Sequence, residues 1–190
     1  MTEQRTPRAG LPKLRLRRDL PVAAGVVRVV PVAAGALVPS PFAAAAGAAR
    51  FTGRAGQVLA LADVVLAGAG NARVAQDFWT CGGAAWPAVS KATHVVLDGR
   101  GLAPDHAAGL AAGLHLRAWN AGRHKSAPPP TLPDRLTLLA DDKAAAKRCW
   151  REARAAVRGT LFARDLVADP GNHLTPAIFA SRLRALERHG

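Results

Sequence analysis

The sequence predicts an α/β protein: a three-layer domain in which short apolar strands alternate with helices around one sheet. Three observations carry this. Val26–Val30, Val58–Leu61, Val64–Ala67, His94–Leu97 and Arg135–Leu139 are short, apolar and rich in β-branched residues or Leu, as strands buried in a sheet are. Helical spacing recurs between and after them, at about 72–91, 106–119 and 142–168. At 190 residues and 49% hydrophobic, the chain is long enough for one substantial core plus an appendage. Alternation of strands and helices places helices against both faces of a sheet.

Taken in order, residues 1–18 are polar and basic and predict a disordered arm, so the α/β domain runs from 19 to 140. The first strand stops before Pro31. Gly82-Gly83 and Pro87 predict a break in the helix at 72–91. Asp105 is placed to cap the helix at 106–119. Ala127-Pro128-Pro129-Pro130 reads as a stiff extended connector to the strand at Arg135. A linking helix follows within 141–169, with Asp141 or Asp142 at its positive end. Trp79, Trp86, Trp119 and Trp150 are the candidate bulky anchors of an otherwise Ala-rich core.

Arg164-Asp165-Leu166-Val167-Ala168-Asp169-Pro170-Gly171-Asn172-His173-Leu174-Thr175-Pro176 reads as helix, turn, helix. Pro170 fixes φ, Gly171 and Asn172 tolerate positive φ, and Thr175-Pro176 is an N-cap followed by Pro at the first helical position. The last helix, at about 176–189, places Ile178, Phe179, Leu183 and Leu186 close to one face, and such a stripe needs a partner surface.

The formal net charge is +13, which raises nucleic acid or another anionic surface as a partner. Drift toward Arg, Ala, Gly and Pro explains the same number without any partner. Basic residues concentrate in the arm (Arg5, Arg8, Lys13, Arg15, Arg17, Arg18) and at Lys147, Arg151, Arg154 and Arg158, which share one helical stripe. That stripe neighbours the apolar one of Trp150, Ala153, Val157 and Leu161. It reads first as a solvated face and second as an anion- or DNA-binding face. No helix-turn-helix, zinc-finger or aromatic RNA-binding signature accompanies it.

Cys81 and Cys149 are too few for a disulfide scaffold or a closed zinc site. Arg17-Arg18 before Leu20-Pro21-Val22-Ala23-Ala24 faintly resembles an export signal, but Arg28 and the nearby prolines interrupt the apolar run. No membrane partner and a cytoplasmic location are expected. Nor does a catalytic constellation stand out. His94, His106, His115, His124, His173 and His189 show no close ligand spacing, and Ser40, Ser90, Ser126 and Ser181 lack a nucleophile elbow. Gly68-Ala69-Gly70 begins a dinucleotide fingerprint that fails at Arg73.

The 164–176 stretch resembles a signature of the leucyl (cytosol) aminopeptidase family through Arg164, Asp165, Leu166, Val167, Pro170, Asn172, Thr175 and Pro176. The segment Ala118-Trp119-Asn120-Ala121-Gly122-Arg123-His124-Lys125-Ser126 is similar to a basic, aromatic segment ending in Lys-Ser in the same proteins, with Trp119 and His124 where they usually have Tyr. The resemblance covers roughly residues 20–190.

It implies a macro-like N-terminal domain, a long linking helix, and at 170–190 the first helix of a catalytic domain. The family reaction is metal-dependent release of N-terminal residues from peptides, using two divalent ions (zinc or manganese) held by a Lys and several carboxylates. The N-T-D-A-E-G-R hallmark and the catalytic Lys and Arg do not occur in this sequence, so no catalytic or metal residue is assigned and these residues alone are expected to be inactive. A truncated reading frame, a fragment and a retained accessory domain all fit that expectation. The implied partners are the catalytic domain or a full-length homologue, within a family that is usually hexameric. The rival reading is a basic module docking DNA or protein.

Overall fold

The structure, a computed structural model, describes residues 13–20, 25–120 and 132–189. Its strands are β1 (Leu14–Arg17), β2 (Val26–Ala33), β3 (Val58–Ala60), β4 (Val64–Gly70), β5 (His94–Asp98) and β6 (Arg135–Leu139). The helices are α1 (Ala43–Ala48), α2 (Ala75–Val89), α3 (Pro104–Arg117), α4 (Lys143–Ala168) and α5 (Pro176–Arg184), with 3-10 turns at Ser40–Phe42 and Ala185–His189. The strands form one six-stranded sheet in the order β1-β6-β5-β2-β4-β3. All neighbours are parallel except β3, which forms an antiparallel hairpin with β4.

Side-chain alternation divides the sheet between two cores. Val29, Val65, Ala67, Val95, Leu97, Leu136 and Leu138 turn to one face and pack against α2, α3 and α4. Val30, Val32, Val64 and Leu66 turn to the other, against Phe42, Ala46 and Phe51 around α1. The expected three layers are therefore present.

Strand β2 runs past the Pro31 stop. The Arg28 N–H bonds to Asp63 on the β4 side, so by alternation Pro31 presents its missing donor toward β5, where pairing has already ended at Val29–Leu97. Residues 14–17 do not belong to a disordered arm. Leu14 and Leu16 alternate with Arg15 and Arg17, and the leucines join the helix-side core while β1 pairs with β6. The earlier residues of the arm, with Arg5 and Arg8, lie outside the described part, as do the connector at 127–130 and the 121–126 segment. Helix α3 starts at Pro104, with Ala103 as N-cap, so Asp105 sits in the first turn and is not the cap.

The expected break in α2 is absent: the helix continues through Gly82-Gly83 and through Pro87 in its last turn. Tertiary packing explains the glycines. A Cβ on Gly82 would lie 2.1 Å from the Leu110 carbonyl oxygen, one on Gly113 1.8 Å from that of Trp79, and one on Gly109 2.7 Å from that of Ala75. Backbones of α2 and α3 approach to a distance that only glycine permits. Gly68-Ala69-Gly70 has a similar explanation: these residues lie within β4, where a Gly68 Cβ would be 1.9 Å from the Arg54 carbonyl oxygen.

Opposite outcomes are expected for two glycines of this helix pair. Gly113→Ala forces the helices apart and is expected to cost about 3 kcal/mol or more. Gly83→Ala, whose nearest contact would be 3.5 Å, is expected to gain roughly 0.5–1 kcal/mol from helix propensity. Urea unfolding of both variants checks the opposite signs.

His94 is buried beside Thr137, its Nε2 2.9 Å from the hydroxyl oxygen, while Nδ1 has no partner among the described residues. Burial lowers its pKa, aided by the charges of Arg135, Arg17 and Arg15. Burial also lowers that of His115, opposed by the bond from Nδ1–H to the Ala111 carbonyl and aided by Arg154. The lowered pKa values favour the neutral rings in the folded state, whereas in the unfolded chain they take up protons near pH 6.5. Their contribution is thus complete above about pH 6.5 and is lost as pH falls below it. The urea midpoint is expected to drop between pH 7.5 and 5.5, before carboxylates titrate.

Candidate interdomain junction and docking face

The junction begins at the N-terminus of α4. Asp142 is its N-cap, its carboxylate accepting from Ala144 and Ala145 N–H at 2.9 Å each. The Ala145 bond is the main reason its pKa lies below the ordinary value. Ala146, Trp150 and Val157 then bury one stripe of α4, with the Trp150 ring 5.0 Å from that of His115 on α3.

Arg164 and Asp165 clamp the far end. Arg164 donates from Nη1 to the Leu116 carbonyl of α3 at 2.6 Å, and its guanidinium lies 5.7 Å from the centroid of the Trp119 indole. Asp165 accepts from Trp119 Nε1–H at 2.8 Å. One residue pair therefore engages both the last turn of α3 and the tryptophan beyond it. Arg164, Asp165 and Leu166 are half-buried, whereas Val167 is 87% exposed.

Helix α4 ends at Ala168, as the following Pro170 requires. His173 and Leu174 N–H both bond the Pro170 carbonyl at 2.9 Å, closing the turn, and Asn172 within it is exposed. Thr175 caps α5, its hydroxyl accepting from Ile178 N–H at 3.4 Å, with Pro176 at the first helical position. Asp169, buried just past α4, forms an ion pair with Arg182 of α5. Sequence reasoning missed this pair. Its signal was an acidic residue beside a helix stop, with an Arg one helical segment on.

Helix α5 contributes no buried residue. Ile178 is 39%, Phe179 41%, Leu183 41% and Leu186 44% exposed, so the apolar stripe expected from sequence is not folded back on the α/β core. Lys147, Arg151, Arg154 and Arg158 all lie exposed on α4, and none makes an ion pair with another described residue.

No group of three or more His, Cys, Asp or Glu among the described residues is arranged to hold a metal ion. His106 stacks on Phe78 at 4.6 Å between centroids. Cys81 donates to the Ala67 carbonyl at 3.3 Å, and burial pushes its thiol up to about 12, which leaves it unreactive. Past the carboxyl end of β5 and beside β2, an open crevice of about 490 Å³ is lined by Val30, Pro31, Asp98, Arg100, Gly101 and Leu102. Asp98 is already taken there by two bonds from Arg100, at 2.8 and 2.7 Å. No described helix is long and apolar enough to cross a membrane.

No family model matches the chain. The "Probable cytosol aminopeptidase" of Bradyrhizobium sp. (strain BTAi1) is 33% identical over 164 residues, or 77% of this chain and 33% of the relative. Its namesake in Rhizobium etli is 32% identical over 167 residues, covering 78% of this chain and 34% of the relative. Among solved structures, the bottromycin maturation enzyme BotP is 30% identical with a TM-score of 0.68, covering 86% of this chain and 37% of that one. A tomato leucine aminopeptidase mutant superimposes with a TM-score of 0.77 at 20% identity, covering 95% and 43%, which shows the fold.

The mixed six-stranded sheet with its helices is the N-terminal domain fold of leucine-aminopeptidase-like proteins. The chain belongs to the leucyl (cytosol) aminopeptidase family. It spans about a third of the length of the curated relatives it matches.

Asp165→Ala removes the acceptor of the Trp119 indole and leaves a half-buried N–H unsatisfied. The expected cost is about 1–3 kcal/mol. Urea unfolding measures it; a loss below about 0.5 kcal/mol would mean that the clamp is not stabilising.

Proposed function

We propose that these residues serve as the non-catalytic N-terminal part of a metal-dependent aminopeptidase and hold a catalytic unit through α5. The observation that carries this is the exposed stripe of Ile178, Phe179, Leu183 and Leu186 on a helix tethered by Asp169–Arg182. A match to about a third of each curated relative supports it. In this reading the reaction is release of N-terminal residues from peptides. The divalent ions, zinc or manganese, are held by residues of the catalytic unit. A relative, BotP, has been solved in complex with Mn. A cytoplasmic site of action accords with relatives named cytosol aminopeptidase.

A second reading, a DNA-binding face, rests on Lys147, Arg151, Arg154 and Arg158, which are exposed and unpaired among the described residues.

Co-expression of the tagged chain with a full-length cytosol aminopeptidase tests the leading reading. The chain is expected to co-purify, and Phe179→Asp with Leu183→Asp to reduce recovery at least about tenfold. The chain alone, given Mn²⁺ or Zn²⁺, is expected to leave leucyl substrates intact. Equal recovery of the double variant would remove the docking role; hydrolysis by the chain alone would remove the non-catalytic one.

A further inference from the structure

Strand β1 ends the sheet, pairing on one side with β6 only. The Arg17 carbonyl accepts from Ala140 N–H at 3.0 Å, so Arg17 directs its backbone groups inward. Backbone groups alternate sides along a strand, so the N–H and C=O of Leu14 and Leu16 point to the free edge. No described residue bonds them there. An open edge of this kind is a template for another strand.

Cations flank the edge on both faces of the sheet. On the helix side a notch of about 420 Å³ is lined by Leu16, Lys143, Ala144 and Lys147. Arg15 and Arg17 project from the opposite face, in line with Thr137 and Leu139 of β6. All four cationic side chains belong to exposed residues, and none makes an ion pair with a described residue. The neighbouring Asp142 carboxylate is engaged as the α4 cap.

Spacing suits a strand. Lys143 and Lys147 stand one helical turn apart, about 6 Å along α4. Arg15 and Arg17 are two residues apart on β1, about 6.6 Å. Side chains on one face of an added strand recur at about that same interval. Acidic side chains at alternate positions would meet the lysines on one face, and those between them the arginines on the other.

We propose that the free edge of β1 binds an extended acidic peptide segment as an added strand, with Lys143 and Lys147 on one side and Arg15 and Arg17 on the other. A second copy of β1 is a poor occupant, because its Arg15 and Arg17 would stand against like charges. Nucleic acid would engage the cations but leave the strand-spaced backbone groups of Leu14 and Leu16 unused. This inference does not depend on α5 or on any catalytic unit.

The probe is a fluorescein-labelled peptide of Glu-Asp repeats, acidic on both faces of a strand, titrated by anisotropy into the full chain. A form N-methylated at every backbone amide is compared with the parent. An added strand donates alternate N–H groups to β1, so the methylated form is expected to lose at least about tenfold in affinity. Lys143→Glu with Lys147→Glu is expected to weaken the parent peptide at least about tenfold, and both sites are exposed, so folding is retained. No saturation by about 1 mM peptide overturns the proposal. So does equal binding of both peptides, which marks plain charge attraction. Stronger binding to duplex DNA, with no effect of methylation, assigns the patch to nucleic acid. Concentration-dependent dimerisation that the peptide does not displace assigns the edge to a second copy.

Discussion

Backbone contact between α2 and α3 is the constraint on which the rest of the structure depends. Gly82, Gly109 and Gly113 bring carbonyl oxygens to distances at which any side chain would collide. That approach lets a core built largely of Ala and Leu reach interior density, because the helices themselves fill space that larger side chains would otherwise occupy. Residues Ala107 through Leu114 are all buried as a consequence. Helix α4 then packs on α3, Trp150 meets His115, and the Arg164–Asp165 clamp closes on the end of α3. A shift of α3 away from α2 would propagate to the direction in which α4 leaves the domain.

The Arg164-Asp165 pair acquires a physical role from this chain of contacts. A 26-residue helix buries only Ala146, Trp150 and Val157, so most of its surface does nothing to fix its angle. Two adjacent side chains near its end, one donating to a helix carbonyl and the other accepting from an indole, supply that fixation with geometry that packing of alanines would not provide. The Asp169–Arg182 pair continues the same logic across the turn. A buried carboxylate is strongly disfavoured without a cation, so α5 is held where Arg182 reaches it.

Much of the sheet was legible because buried parallel strands advertise themselves as short apolar runs; β4, β5 and β6 lie where clusters of Val and Leu put them. The 164–176 turn was legible from Pro170 and Thr175-Pro176 alone. Other features were hidden by competing signals. In β1, a period of two was masked by arginines that made the segment look like an unstructured arm. In α2, Gly-Gly and Pro predicted a break because propensity knows nothing of the neighbouring helix, and tertiary contact overrode it. Helix α1, a run of Ala with one Gly, lacked any periodic pattern to detect. At the junction, the roles of Trp119, Asp169 and Arg182 depend on residues 13 to 46 positions away, which no local pattern encodes.

The α5 face follows from the same energetics. Isolated helices shorter than about 12 residues are marginal in water, and α5 has 9 residues with none buried. Its local supports are the Thr175 cap and the Asp169–Arg182 pair. Covering the exposed parts of Ile178, Phe179, Leu183 and Leu186 adds roughly 1 kcal/mol for each residue. A partner that covers this stripe therefore stabilises α5 and is positioned by it, and the Asp169–Arg182 pair passes that position back through α4 to the clamp on α3. The direction in which α4 leaves the sheet and the placement of α5 are set by one continuous set of contacts.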